Sequence, residues 1–221
     1  MTVHYQSASW ARPTSNLIAL TTYRNFDHQR LGDILSKIVF CRQTHSDRVI
    51  QVSSELVGRP TADAMITDQT NLGLGVLTAD CVPVFIHDQK RSIIGIAHAG
   101  WRGTFYKIIC KTINKIGDNF NVKPKDIIAV IGPSIGNCCF EVGEDLYKRF
   151  IKNFPNFKSC FLQDEFKKKI DLKRINYLLL EEMGVREIEI LNECTKCNPN
   201  FYSYRRDKSK SQNQISKINL N

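Results

Sequence analysis

Short apolar runs rich in Val and Ile, each bounded by Gly, Asp, Asn or Pro, dominate the first half of the chain. Such runs read as strands. They predict strands over 36–41, 48–52, 63–67, 73–79, 82–87 and 92–98, with two later ones over 127–132 and 187–192. After Gly103 the period changes. Phe105, Ile109, Ile113 and Ile116 recur at helical spacing with lysines between them, which predicts a helix over 104–116. Two more helices are predicted over 143–153 and 171–183, the second starting from an N-cap Asp171 and stopping at Gly184. Strands lead and helices are interspersed later, so the pattern predicts a mixed α+β fold, not a regular βαβ alternation. No repeat or Pro/Ser-rich linker divides the chain, and 221 residues suffice for one domain over 1–221 with a large core.

Composition narrows the class. With 42% hydrophobic and 24% charged residues the chain is ordinary for a folded globular protein, which argues against general disorder. No apolar run approaches the roughly eighteen residues of a membrane span. The N-terminal MTVHYQSASWARPTSN lacks the basic-then-apolar pattern of a signal peptide. These features predict a cytoplasmic protein with no membrane partner. The formal charge of +9 is concentrated late: residues 147–221 carry 16 Lys and Arg against 9 Asp and Glu, including 167–169 and much of 205–210. A basic surface of this kind could attract nucleic acid or a small anion. No nucleic-acid-binding motif accompanies it, so a solvated basic face is the simpler reading and no nucleic-acid partner is predicted.

Eight cysteines without an export signal read as reduced thiols or metal ligands, not as a disulfide framework. The stretch LTADCVPVFIHDQKRSIIGIAHAGWRG, 77–103, reads as a hairpin. With a loop over 89–90, or over 88–91, Cys81 stands directly opposite His98. Directly opposed residues share a face, with α-carbons about 5 Å apart. A loop one residue longer or shorter would turn one of the two away. Pro83 cannot donate to a ladder and predicts an edge strand or an irregularity. Thiolate plus imidazole suits zinc better than magnesium or calcium. A third ligand could come from His4, His28, His45 or His87, of which His45 sits among polar residues just past a predicted strand. Two histidines and one cysteine would leave the fourth zinc position open, as catalytic sites do. The bland alternative is a hydrogen-bonded structural histidine and a cysteine that merely packs. Cys194 and Cys197 have CxxC spacing, but no second CxxC completes a structural zinc site and no evident helix follows, so the pair reads as structural.

RQTH (42–45), ADAMIT (62–67), LTADCVP (77–83), IAHAGWRG (96–103), IGPSIGNCCFEVG (131–143), CTKC (194–197) and FYSYRRD (201–207) follow one another in this order. Through this ordered set, across nearly the whole chain, the sequence resembles the YfiH-like family, often labelled multicopper polyphenol oxidase or laccase-domain proteins. The resemblance implies α/β/β/α layers shared with the catalytic domain of cytotoxic necrotizing factor toxins. It implies a zinc site carried over to His45, Cys81 and His98. It also implies purine nucleoside chemistry: phosphorolysis of adenosine, inosine, guanosine and methylthioadenosine, and deamination of adenosine.

On that reading Cys81 and His98 are catalytic candidates, with Asp80 beside them as a support or proton carrier. Gln43, Arg102, Cys138 and Arg205 are candidate contacts for nucleoside and phosphate, with Arg206 as Arg205's partner. The small residues Ala99, Gly100 and Gly103 would let substrate approach. Two departures stand out. Ser46 replaces the glycine of the usual QVHG, removing the freest backbone residue after His45. The usual Gly-Arg element after Arg206–Asp207 is replaced within KSKSQNQISKINLN. Two other functions compete with the phosphorylase: an amidohydrolase editing cytoplasmic peptidoglycan precursors, and a basic binding module with a structural metal. Copper-dependent phenol oxidation would want more histidines than the five present, so zinc is expected before copper.

Overall fold

The computed structural model describes residues 5–7, 17–24, 38–54, 58–88, 90–209 and 211–220. His4 and His28, the first two positions of the predicted strand 36–41, and Gln89 and Lys210 lie outside the described residues. A six-stranded sheet carries the centre of the fold, in the order β13 (Glu187–Ile190), β9 (Ile128–Ile131), β7 (Val82–Asp88), β8 (Ile93–Ala99), β5 (Ala64–Thr67) and β4 (Val49–Gln51). Its two outer pairs, β13 with β9 and β4 with β5, are parallel, and the three inner pairings are antiparallel. A five-stranded sheet lies in the order β1 (Tyr5–Ser7), β2 (Leu17–Thr22), β14 (Gln214–Leu220), β6 (Gly73–Thr78) and β3 (Ile38–Phe40). A small third sheet joins β10 (Glu141–Val142), β12 (Lys168–Ile170) and β11 (Phe161–Gln163).

The two large sheets share one apolar layer, in which Leu17, Leu74, Val76 and Ile218 meet Met65, Phe85, Ile94, Ile96 and Val130. The other face of the six-stranded sheet presents Ile66, Val84, Ile86, Ala97 and Ile131 to helices α2 (Ile108–Phe120) and α4 (Leu172–Glu182). Strands β7 and β8 are therefore buried on both faces, which is why their sequences are apolar at consecutive positions and do not alternate. Each fully buried Ile or Phe here contributes on the order of 1.5–3 kcal/mol of transfer free energy. Of the four layers that the resemblance implies, the two sheets and the helical layer over the six-stranded sheet are seen among the described residues. The fold is α+β, as the pattern predicts.

All eight predicted strands form, with ends shifted by a residue or two. The predicted helix 104–116 is divided: α1 (Trp101–Phe105) ends at Tyr106, and α2 begins after Lys107, which adopts φ 56°. The break places Trp101 and Arg102 on a separate short helix, with Trp101 still packed against the core that buries α2. Helices α3 (Glu144–Asn153) and α4 match their predicted ranges, and the Asp171 carboxylate accepts from the Arg174 N–H as the cap reading requires. The short α5 (Tyr204–Asp207) and strands β1, β2, β10, β11, β12 and β14 lie outside the predicted elements. KSKSQNQISKINLN reads as a basic polar tail, yet β14 fills the middle of a sheet, with Ser216 and Lys217 buried beside Ile218.

The hairpin differs from its predicted register by two residues. Asp88 stays in β7 opposite Ile93, and Pro83, not Cys81, stands opposite His98. The Asp88 carboxylate sets this turn by accepting from the N–H groups of Lys90 and Arg91. A slip of two preserves the face, so Cys81 and His98 still point the same way. Pro83 is in an interior strand, not at an edge. Its carbonyl accepts from the Gly132 N–H just past the end of β9, so its missing donor falls where the ladder stops.

Candidate metal centre and anion cavity

Asp63 immediately precedes β5, and its backbone carbonyl accepts from the His98 N–H of the neighbouring strand at 2.7 Å. Its side chain is buried and collects donors from two directions. The Thr44, His45 and Ser46 N–H groups reach it at 3.1, 3.0 and 2.7 Å, and the Ser46 hydroxyl at 2.6 Å. From the sheet side, His98 Nδ1 lies 2.8 Å from Oδ1. A carboxylate only accepts, so Nδ1 carries the proton and Nε2 is left facing outward. Burial pushes the Asp63 pKa up, but the bonds from His98 and Ser46 outweigh it and hold the carboxyl far below the usual range.

This knot shapes the 41–48 loop around one charge. His45 takes φ 58°, a conformation costly for a residue with a β-carbon, and the flanking N–H bonds to Asp63 hold it there. The left-handed residue is thus His45 and not position 46. Ser46 in place of glycine loses no needed freedom, and its hydroxyl adds a hydrogen bond. Gln43 secures the other end of the loop: its amide donates to the Leu77 carbonyl and accepts from the Leu77 N–H, both at 2.8 Å.

The result brings His45, Cys81 and His98 together, with one donor atom of each within 4.8 Å of the others. The two imidazoles meet edge to face at 4.8 Å between centroids. Burial raises the Cys81 pKa, but His98 and His45 overcome it and bring the thiol down to about 6. Burial lowers the His98 pKa, while Cys81 and Asp63 together raise it to about 9. A thiolate flanked by two imidazoles, one with its tautomer fixed by a carboxylate, fits a zinc or copper ion and could hold it with a coordination position to spare. Gly100 serves this convergence. A β-carbon there would lie 2.9 Å from the Cys81 sulfur and 3.2 Å from the His45 ring. Its smallness lets the ligands approach each other, where the sequence suggested room for substrate. His87, the remaining histidine of the hairpin, is buried at the far end with Nδ1 at the Ile93 carbonyl.

The donor set opens into a cavity of about 720 Å³ lined also by Gln43, Asp80, Trp101, Ile135, Phe140, Leu172, Tyr204 and four arginines: Arg42, Arg59, Arg102 and Arg205. Arg102 lies over the Trp101 ring at 4.1 Å, and among the described residues its guanidinium has no hydrogen-bond or ion-pair partner. Arg205 is held in place, donating to the Glu141 carbonyl at 2.9 Å. Asp80, at φ 86°, accepts from the Thr195 hydroxyl at 2.7 Å and the Arg205 N–H at 2.6 Å, so both its oxygens brace the cavity wall. Arg206 turns away from the cavity to grip the backbone of 195–201. Cys138 is likewise absent from the lining; its sulfur lies 3.8 Å from that of Cys197. Sequence reading assigned no role to Asp63, Arg42, Arg59 or Tyr204. Asp63, Arg42 and Tyr204 stood inside the ADAMIT, RQTH and FYSYRRD elements, and Arg59 in none of them.

The chain matches the family described as multi-copper polyphenol oxidoreductase laccase over residues 21–221. Proteins named purine nucleoside phosphorylase from Rickettsia conorii, Bacillus subtilis and Escherichia coli are similar to it. The first is 36% identical over 82% of this chain and 77% of its own length. The second is 33% identical over 84% and 72%, and the third 32% over 80% and 72%. Among solved structures, a hypothetical protein YfiH of Bacillus licheniformis superposes with a TM-score of 0.85 at 31% identity, covering 93% of each chain. A Neisseria meningitidis protein superposes at 0.87 and 28% identity, covering 98% of this chain and 99% of its own.

Two outcomes are expected here. In metal-free protein, the thiolate absorbance lost in Cys81→Ala rises with pH at a midpoint near 6, not near 9. Gly100→Ala weakens zinc binding at this centre roughly tenfold or more, on the scale of a disturbed ligand support, as read by competition with a chromophoric chelator, while the chain stays folded.

Proposed function

We propose that this chain, which belongs to the family described as multi-copper polyphenol oxidoreductase laccase, is a zinc-dependent purine nucleoside phosphorylase. The observation that carries this reading is the junction of a His–Cys–His donor set with an arginine-lined cavity that also offers aromatic faces. The name shared by its relatives supports it. The substrates proposed are adenosine, inosine, guanosine and methylthioadenosine, with adenosine deamination as a secondary activity, in the cytoplasm.

In phosphorolysis an oxygen of monohydrogen phosphate bonds to the ribose C1′ as the C1′–N9 bond breaks. The electron pair leaves with the purine, which ends with the phosphate's proton. The protein's task is to place a dianion against an electron-poor ribosyl centre. Zinc held by His45, Cys81 and His98 would supply a Lewis acid at that end of the cavity. Arg102 and Arg42, whose guanidinium groups are unpaired among the described residues, are suited to grip phosphate, a geometry the arginine fork favours. Arg205, braced by Asp80, is oriented for the same anion. Trp101, Phe140 and Tyr204 offer surfaces on which a purine can stack. Gln43 touches the cavity while its amide bonds Leu77, so its part is to position the His45 loop.

One observation favours a second reading. Cys81 beside His98, which Asp63 orients, is also the arrangement of an activated thiol nucleophile, and would suit a hydrolase that edits peptidoglycan precursors. Chelation separates the two, because a thiolate nucleophile needs no metal.

Zinc-loaded protein kept under reductant is to be incubated with adenosine and phosphate and the products separated by chromatography. Adenine and ribose 1-phosphate are expected, and both should vanish on chelation and in Cys81→Ala; inosine would report deamination. Arg102→Ala should raise the KM for phosphate roughly tenfold or more, the scale of a lost charge-assisted hydrogen bond. A folded, zinc-loaded protein that yields no product removes the assignment.

A further inference from the structure

We propose that Cys138, Cys139, Cys194 and Cys197 form a second metal centre, a tetrathiolate site for zinc, separate from the His45–Cys81–His98 set. The inference is independent of the nucleoside reading. Strands β9 and β13 are parallel neighbours, so the loops that leave their ends emerge side by side. A bridge between Ser134 and Cys194, with the Thr195 N–H on the Ser134 carbonyl at 3.1 Å, locks those loops together. Four sulfurs result within 4.8 Å of one another, with Cys139 3.3 Å and Cys138 3.8 Å from Cys197. Around zinc, with Zn–S near 2.3 Å, tetrahedral sulfurs stand about 3.8 Å apart, a spacing this cluster brackets. None of the four is in a disulfide.

The surroundings are built for this convergence. The Gly136 N–H donates to the Cys194 sulfur at 3.2 Å, and a β-carbon at Gly136 would press to 3.2 Å from the Cys138 sulfur. Arg206, held by Asp207 through two bonds of 2.8 and 2.9 Å, donates to the carbonyls of Thr195, Lys196 and Phe201 and so fixes the shape of the CTKC loop. The buried Lys173 ammonium caps the carbonyls of Leu191 and Glu193 beside the cluster, a cation placed to offset the net negative charge of a zinc tetrathiolate. Cys138 and Cys197 are exposed, so an ion can enter from solvent. Binding exchanges four thiol protons for one Zn²⁺ and involves no oxidation.

The consequence reaches the cavity. Thr195, inside the CTKC loop, donates to Asp80, and Arg205 bonds the carbonyls of Cys139 and Glu141. Zinc here would hold the wall that carries Arg205 and Phe140.

Protein purified under reductant with zinc, then freed of loosely bound metal, is expected to hold two zinc ions per chain. Cys81→Ala, Cys138→Ser and Cys197→Ser should each hold one. The decisive sample is Cys81→Ala, whose cluster is intact: its zinc X-ray absorption spectrum should show four sulfur neighbours near 2.3 Å. If Cys197→Ser fails to fold, that spectrum still decides. Cys81→Ala that is folded yet zinc-free, a coordination shell of mixed nitrogen and sulfur in it, or a Cys139–Cys197 disulfide under reductant would each overturn the proposal.

Discussion

One buried carboxylate organises the functional end of this fold. Unpaired, Asp63 would be costly to bury. Here three successive backbone N–H groups, two hydroxyls and an imidazole surround it. The same charge therefore stabilises the loop, fixes the left-handed backbone of His45 and sets the tautomer of His98. The effect continues outward: Asp63 favours the protonated ring of His98, and His98 in turn favours the Cys81 thiolate. Each candidate ligand is placed by the fold itself.

The sheet makes this knot possible. Asp63 and His98 are neighbours because β5 and β8 pair antiparallel in a register that continues past Ala64 and Ala97. Cys81 comes in from the next strand over, and Gly100 leaves the gap that lets it meet His45. Gln43 ties the loop to β6 of the second sheet, so both sheets help to aim the same three side chains. The cavity arginines sit around this centre on loops (Arg42 and Arg59) and on two short helices, α1 (Arg102) and α5 (Arg205).

Much of this was legible in the sequence. Apolar runs gave away β5 to β8, because strands buried on both faces leave no polar interruptions until they turn. Cys81 and His98 were brought together correctly although the turn was misplaced, since a slip of two residues conserves the face. What local pattern could not show was long-range. Asp63 looks like any strand-end residue until its donors arrive from residues 44–46 and from His98. Strand β14 hid in a polar, lysine-rich stretch because its neighbours in the sheet, not its own periodicity, bury it. The four-cysteine cluster was missed because half of it is an adjacent pair in a turn, and only the parallel pairing of β9 with β13 brings that pair to the CxxC.

The central claim is that Asp63 positions the three candidate metal ligands through its charge and hydrogen bonds, and one substitution isolates it. Asp63→Asn keeps the shape but replaces one acceptor oxygen with a donor and removes the charge. Zinc affinity of the His45–Cys81–His98 centre should be measured by chelator competition in this variant, with folding checked by circular dichroism. A folded variant whose affinity falls by about 10- to 100-fold, the usual effect of losing a ligand's supporting partner, is the predicted result. A folded variant that binds zinc as tightly as the parent would contradict the account.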